Sequence, residues 1–215
     1  MSSLQTTTMA VAPQNNRLYQ LSLTGDRAQR GLTARFLAAR PFENRRHYAR
    51  FLIAQHRIAR ELRGVYLHPS CPDIFPSQEI GGHISRIEKD LRDLDAGNVE
   101  SRPGQQSPRA IVDVPGLCGG LFVTEGVRLA FPFFRKQAEH LGLNAFFGAR
   151  HLAYEASDIR RRWTGFAETI NKIAFSTSDM RRMTEAARQV MELIGTILDE
   201  EMNGNCVARK DMNHD

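Results

Sequence analysis

The chain has 215 residues, 41% hydrophobic and 25% charged, with 29 Lys and Arg against 24 Asp and Glu for a net charge of +5. This is the composition of a soluble globular protein with enough apolar residues for one sizeable core. No apolar run approaches the ~20 residues of a membrane span. The three widely separated cysteines, Cys71, Cys118 and Cys206, imply neither a disulfide framework nor a paired zinc site, and they fit a reducing cytoplasm.

Residues 1–16 are polar, lack the basic-then-apolar order of a signal peptide, and are expected to form a disordered tail. A helix is entered past Pro41, with Asn44 near its start, and is marked by Phe51, Ala54, Ile58, Leu62 and Val65. Proline-rich turns at His68–Asp73 and Phe75–Ser77 close it. Residues 78–95 then place Ile80, Ile84, Ile87, Leu91 and Leu94 at steps of four, three, four and three. Asp95 to Pro108 is the one long polar loop.

Beyond that loop, residues 119–134 carry a helical apolar pattern with Gly119, Gly126 and Ala130 along one side. A glycine inside a helix costs roughly 1 kcal/mol relative to alanine. Such glycines serve either close helix–helix packing or a flat ligand lying against bare backbone. Pro132 lacks an amide donor and collides with the carbonyl of Arg128, so the helix should bend or break there. Gly142 and Gly148 bracket a short segment. Residues 157–173 repeat the amphipathic rhythm with Ile159, Trp163, Phe166, Ile170 and Ile173. Ser176–Asp179 supplies caps for a last helix, about 178–202, that buries Met183, Ala187, Val190, Ile194, Ile197 and Met202. Residues 203–215 read as a frayed tail. The basic clusters Arg45-Arg46, Arg160-Arg161-Arg162 and Arg181-Arg182 lie beside Glu43, Asp158 and Asp179 on amphipathic helices. They read as solvated helix faces, not as a nucleic-acid-binding stripe. The fold class is all-α, with one domain over 17–202.

Several segments then fall into a familiar order: Tyr48-Ala49-Arg50-Phe51-Leu52 through Gln55, Val65-Tyr66, Ile74-Phe75-Pro76, Leu121-Phe122-Val123-Thr124-Glu125-Gly126, and Phe147-Gly148-Ala149-Arg150-His151-Leu152. In these the chain resembles the bacterial haem oxygenases from about Arg17 to Met202. The resemblance implies a helical fold that sandwiches haem between a proximal helix, which supplies a histidine to the iron, and a bent glycine-rich distal helix. It also implies oxidative cleavage of haem to biliverdin, ferrous iron and CO, with electrons from a donor.

The positions that should carry that chemistry differ here. The family's proximal histidine follows a threonine by four residues. Counting from Thr24 gives Ala28, and counting back from Pro41-Phe42 gives Gln29. No histidine precedes His47. Alanine cannot coordinate iron, and a glutamine amide is a poor ligand beside imidazole. In the distal helix Gly126 matches the first family glycine, but Ala130 replaces the second and Val127 replaces the small polar residue after the first. Phe122, Gly126 and Ala130 are the expected distal wall. Arg135 and Lys136 are the candidates for the rim that holds the propionates, while Gln137 stands where relatives carry lysine.

The remaining histidines read as structural. His47 and His56 are nine residues apart on one helix, about 13 Å, too far to share a metal. His83 and His151 read as hydrogen-bonded core residues. Cys71-Pro72 is explained by a proline-closed turn, and Cys118 lies about 12 Å along the helix from Gly126. Two functions follow from the resemblance. One is a haem oxygenase with non-standard iron ligation. The other is an inactive relative that binds haem, biliverdin or another tetrapyrrole, or that serves as a regulatory or protein-interaction module. Neither nucleic acid nor membrane is an expected partner.

Overall fold

The computed structural model describes residues 17–96 and 111–203. The expected tails and most of the expected polar loop lie outside those residues. The described chain is helical: α1 Arg17–Ala39, α2 Arg45–Glu61, α3 Arg63–Leu67, α4 Ser77–Asp93, α5 Val114–Arg128, α6 Phe131–His140, a 3₁₀ turn Arg150–Leu152, α7 Ala156–Lys172 and α8 Thr177–Asn203. They surround one hydrophobic core in a single domain.

Local chemistry sets the boundaries. The Asn44 side chain accepts from the amide of His47 at 2.9 Å and opens α2. Ser176 and Asp179 cap α8 reciprocally, with Ser176 N donating to Oδ2 at 2.8 Å and Asp179 N donating to Oγ at 3.1 Å. The apolar pattern through Leu62 and Val65 does not form one helix as expected. The chain turns at Leu62 (φ −92°, ψ 5°), and Val65 belongs to the separate α3. The expected bent helix breaks at Leu129–Ala130, two residues before Pro132. There the amides of Leu129 and Ala130 reach back only three residues, to Gly126 and Val127. Pro132 thereby occupies the first turn of α6, where its missing donor costs nothing.

α8 is the hub on which α1, α2 and α5 pack, while α7 lies against α1 and α5. Met183, Ala187, Val190, Ile194, Ile197 and Met202 are all buried, as their spacing predicts. By length and composition Val114–His140 could cross a membrane, yet 61% of its apolar window is buried inside the bundle.

Two of the glycines of α5, Gly119 and Gly126, have different reasons to be there. A methyl on Gly119 would overlap the carbonyl oxygen of Met183 and stand 3.0 Å from both Ala186 Cβ and Ala187 N on α8. Gly119 is therefore a close-packing residue. A methyl on Gly126 would meet only the Trp163 ring, at 3.7 and 3.8 Å, which is ordinary contact. Gly119→Ala should destabilise the protein by about 1–3 kcal/mol through overpacking. Gly126→Ala should leave the unliganded protein unchanged or stabilise it by up to about 1 kcal/mol. Urea denaturation of the two variants checks the contrast, and equal losses would refute it.

Candidate functional site

On α1, Phe36 stacks on Phe134 of α6 with centroids 5.1 Å apart and rings 24° from parallel, so this side of α1 faces α6. Gln29 precedes Phe36 by seven residues, about 20° short of two turns and about 10 Å along the axis. It therefore lies on the same side, and it is exposed. Ala28, rotated by about 100°, packs half-buried against the core. The two residues expected at the histidine position thus separate: Gln29 looks along the α6-facing side, and Ala28 looks into the bundle. Thr24 bonds its own helix and stands 3.3 Å from the Thr184 hydroxyl of α8.

On the other wall, Phe122 is buried with its ring 5.9 Å from that of Trp163 on α7. Gly126 lies next to the same indole. Ala130 is half-buried at the break, and around it Leu129 and Phe133 leave 42% and 47% of their surface uncovered. Phe122 and Gly126 thus share the Trp163 indole of α7, and Ala130 lies at the α5–α6 break. Arg135 turns along its own helix to Glu139 at 3.9 Å, and Lys136 is exposed on α6. A separate cleft of about 360 Å³ lies at the proline-rich turns, lined by Tyr66, His68, Cys71 and Phe75 among others. None of the expected slot residues lines it. Burial pushes the Cys71 thiol up to about 11 and the Cys118 thiol up to about 12, so both are protonated near neutral pH.

Elsewhere in the bundle runs a buried polar network that periodicity passes over. Glu125 accepts from Tyr66 Oη at 2.8 Å and from two guanidinium nitrogens of Arg162 at 3.2 Å, with Arg128 at 3.5 Å. Arg162 also pairs with Glu79. Its expected place on a solvated face is corrected: the carboxylates draw it inside, while Arg160 and Arg161 stay exposed. Arg128 sits over the rings of Tyr154, Tyr66 and Phe131 at 5.3, 5.9 and 5.9 Å.

A second buried cluster centres on Asp90. It accepts from the amides of Arg150 and His151 at 3.0 and 2.9 Å and from His151 Nδ1 at 2.9 Å. A charge at a core register, Glu125 within the Leu121–Leu129 run and Asp90 among Ile87, Leu91 and Leu94, is the sequence signal that could have revealed both.

The histidines are held in place. His56 Nε2 meets Glu88 at 3.2 Å, His47 Nδ1 lies 3.2 Å from the Arg40 carbonyl, and His83 Nδ1 lies 3.4 Å from Tyr154 Oη. Among the described residues no group of three or more His, Cys, Asp or Glu is placed to hold a metal. An iron atom against α1 would find an amide and a methyl in place of imidazole, so these residues do not fit a histidine-ligated haem.

No family model matches the chain. In sequence it is similar to heme oxygenase PigA of Pseudomonas aeruginosa, at 29% identity over 186 residues, which span 86% of this chain and 93% of that protein. In structure it resembles the NO- and CO-bound haem oxygenase of Neisseria meningitidis, with a TM-score of 0.75 at 21% identity, over 90% of this chain and 95% of that one. Sequence and fold together relate the chain to the bacterial haem oxygenases.

Proposed function

We propose that this haem-oxygenase-like bundle binds a tetrapyrrole between α1 and α5–α6 without giving its centre a protein ligand from α1, and that it is a binding or regulatory module, not a haem-cleaving enzyme. The observation that carries the proposal is Gln29: a neutral, exposed amide on the α6-facing side of α1, in a helix with no imidazole. Phe122, Gly126 and Ala130 form the flat wall of the proposed slot, and Leu129 and Phe133 supply apolar surface for a macrocycle. Arg135 and Lys136 are the candidate partners for the pigment's carboxylates. An amide both donates and accepts. Gln29 therefore suits the pyrrole nitrogens of an iron-free pigment such as biliverdin at least as well as an iron centre.

The rival reading, cleavage of haem to biliverdin, iron and CO through a substitute ligand and an electron donor, draws on the glycine retained at 126. Titration separates the two. The purified protein is titrated with ferric haem and with biliverdin, and the haem complex is then reduced under air. Iron-free pigment should bind within about tenfold of haem, a difference below about 1.4 kcal/mol, and the Soret band should persist after reduction. Loss of that band with growth of bilin absorbance would establish cleavage instead. No saturable change with either pigment would remove tetrapyrroles from the slot altogether.

A further inference from the structure

The turn that leaves α6 is fixed from several directions. The Asn144 amide donates to the Phe147 carbonyl at 2.8 Å, and its side-chain oxygen accepts from the amides of Phe146 and Phe147 at 2.8 and 3.2 Å. Gly148 N donates to Asp93 at 2.7 Å, and Arg45 Nε donates to the Leu141 carbonyl at 2.8 Å. Gly142 and Gly148 both adopt φ 73°, a left-handed backbone that suits glycine. At the tip, Phe146 is 86% exposed and Phe147 is 40% exposed. The hydrogen bonds fix the backbone of the turn, which carries the Phe146 ring outward and leaves Phe147 part-exposed beside it.

What covers this tip must be small in area and tolerant of cations. Two phenylalanines offer at most a few hundred Å², well short of the ~800 Å² per partner of a stable dimer. A second copy of the chain is therefore a poor occupant. Two basic side chains stand beside the turn, neither ion-paired to a carboxylate among the described residues: Arg45 reaches over Leu141 and Gly142, spending its Nε on a carbonyl, and Arg46 next to it in sequence is exposed. The neighbouring carboxylates are mostly committed, Asp93 to Arg150, Glu139 to Arg135 and Glu43 to Arg40, while Asp95 is exposed.

An apolar tip with a basic collar suits the headgroup region of an anionic bilayer, where buried apolar area and cation attraction add. We infer that the Phe146–Phe147 turn docks on anionic lipid, with both rings among the upper acyl chains and Arg45 and Arg46 against the phosphates. This departs from the expectation of no membrane partner. The ten residues of α6 span about 15 Å, so docking sets the proposed slot one short helix from the lipid surface. Only that consequence rests on the tetrapyrrole reading. The docking itself does not.

The test is co-sedimentation without pigment, using vesicles of phosphatidylcholine alone and vesicles with about a third phosphatidylglycerol. The protein should sediment with the anionic vesicles, and high salt should weaken binding. Phe146→Ser should lower the partition coefficient by about tenfold, with the melting temperature unchanged because the ring packs on little. Arg46→Gln should reduce binding to a smaller extent. Failure to sediment with either vesicle, or binding that Phe146→Ser leaves intact, would overturn the inference.

Discussion

Replacing Gln29 with histidine should raise the affinity for ferric haem by at least about tenfold, or 1.4 kcal/mol, and shift the Soret band to that of a histidine-bound iron. Gln29 is exposed on the side of α1 that faces α6, so an imidazole there displaces no packed neighbour. Affinity for biliverdin should not change, because the new bond needs iron. Ala28→His is the control. Position 28 packs against the core, so histidine there should gain no haem affinity and should cost about 1–3 kcal/mol of stability through overpacking. If Ala28→His gained the spectrum instead, the register along α1 would be off by one residue. If neither variant did, the proposed slot does not admit haem.

Asp90→Ala should be the most damaging single truncation described here, costing about 3–5 kcal/mol. The carboxylate is fully buried and satisfies two backbone amides, the His151 ring and the Arg150 guanidinium, the last at 3.1 Å. Its loss strands the two amides and the His151 ring, while Arg150 keeps its pairing with Asp93. Burial pushes Asp90 upward, but hydrogen bonds from the His151 ring and from the His151 and Arg150 amides outweigh it and hold the group below 3.8. Burial drives the His151 imidazole below 6.5, and Asp90 offsets this only in part. His83 is driven well below 6.5 by burial and by the positive charges of Arg128, His151 and Arg86.

All three groups act in one direction. For the two histidines the unfolded chain binds protons that the folded one refuses, so their stabilisation is complete above 6.5 and declines as pH falls below it. Asp90 adds a second loss below 3.8 as its folded-state pKa is approached. Urea midpoints should therefore fall from neutral pH to about pH 5 and fall again near about pH 3.5. The second fall should be shallower in Asp90→Ala, and a flat profile across the range would contradict these assignments.

Apolar periodicity made most of the bundle legible. Ile80, Ile87 and Leu91 on α4, Phe166 and Ile170 on α7, and the α8 series occupy the core because a step of three or four keeps a residue on one face of a helix. Asn44 and Ser176 were legible as caps because few side chains can satisfy a helix's first amides. What periodicity could not show is discontinuity: Leu62 and Val65 fit an unbroken helix, and only the backbone reveals the turn between them. Nor could it divide the glycines of α5, since one pattern in sequence serves α8 at Gly119 and faces an indole at Gly126. For the position where the resemblance expects a histidine, the sequence offered Ala28 or Gln29 without deciding between them. Choosing which side of α1 faces α6 required the Phe36–Phe134 stack.

The indole beside Gly126 belongs to the only tryptophan in the chain. Excited at the red edge of its absorption, where tyrosine does not absorb, the protein therefore carries a single emitter, beside the proposed distal wall. Any flat pigment that settles there should drain its excited state by energy transfer, and a change in wall polarity should move its emission maximum. Pigment binding is thus readable in unlabelled protein from that one indole, and its emission maximum reports the polarity of the wall beside Gly126.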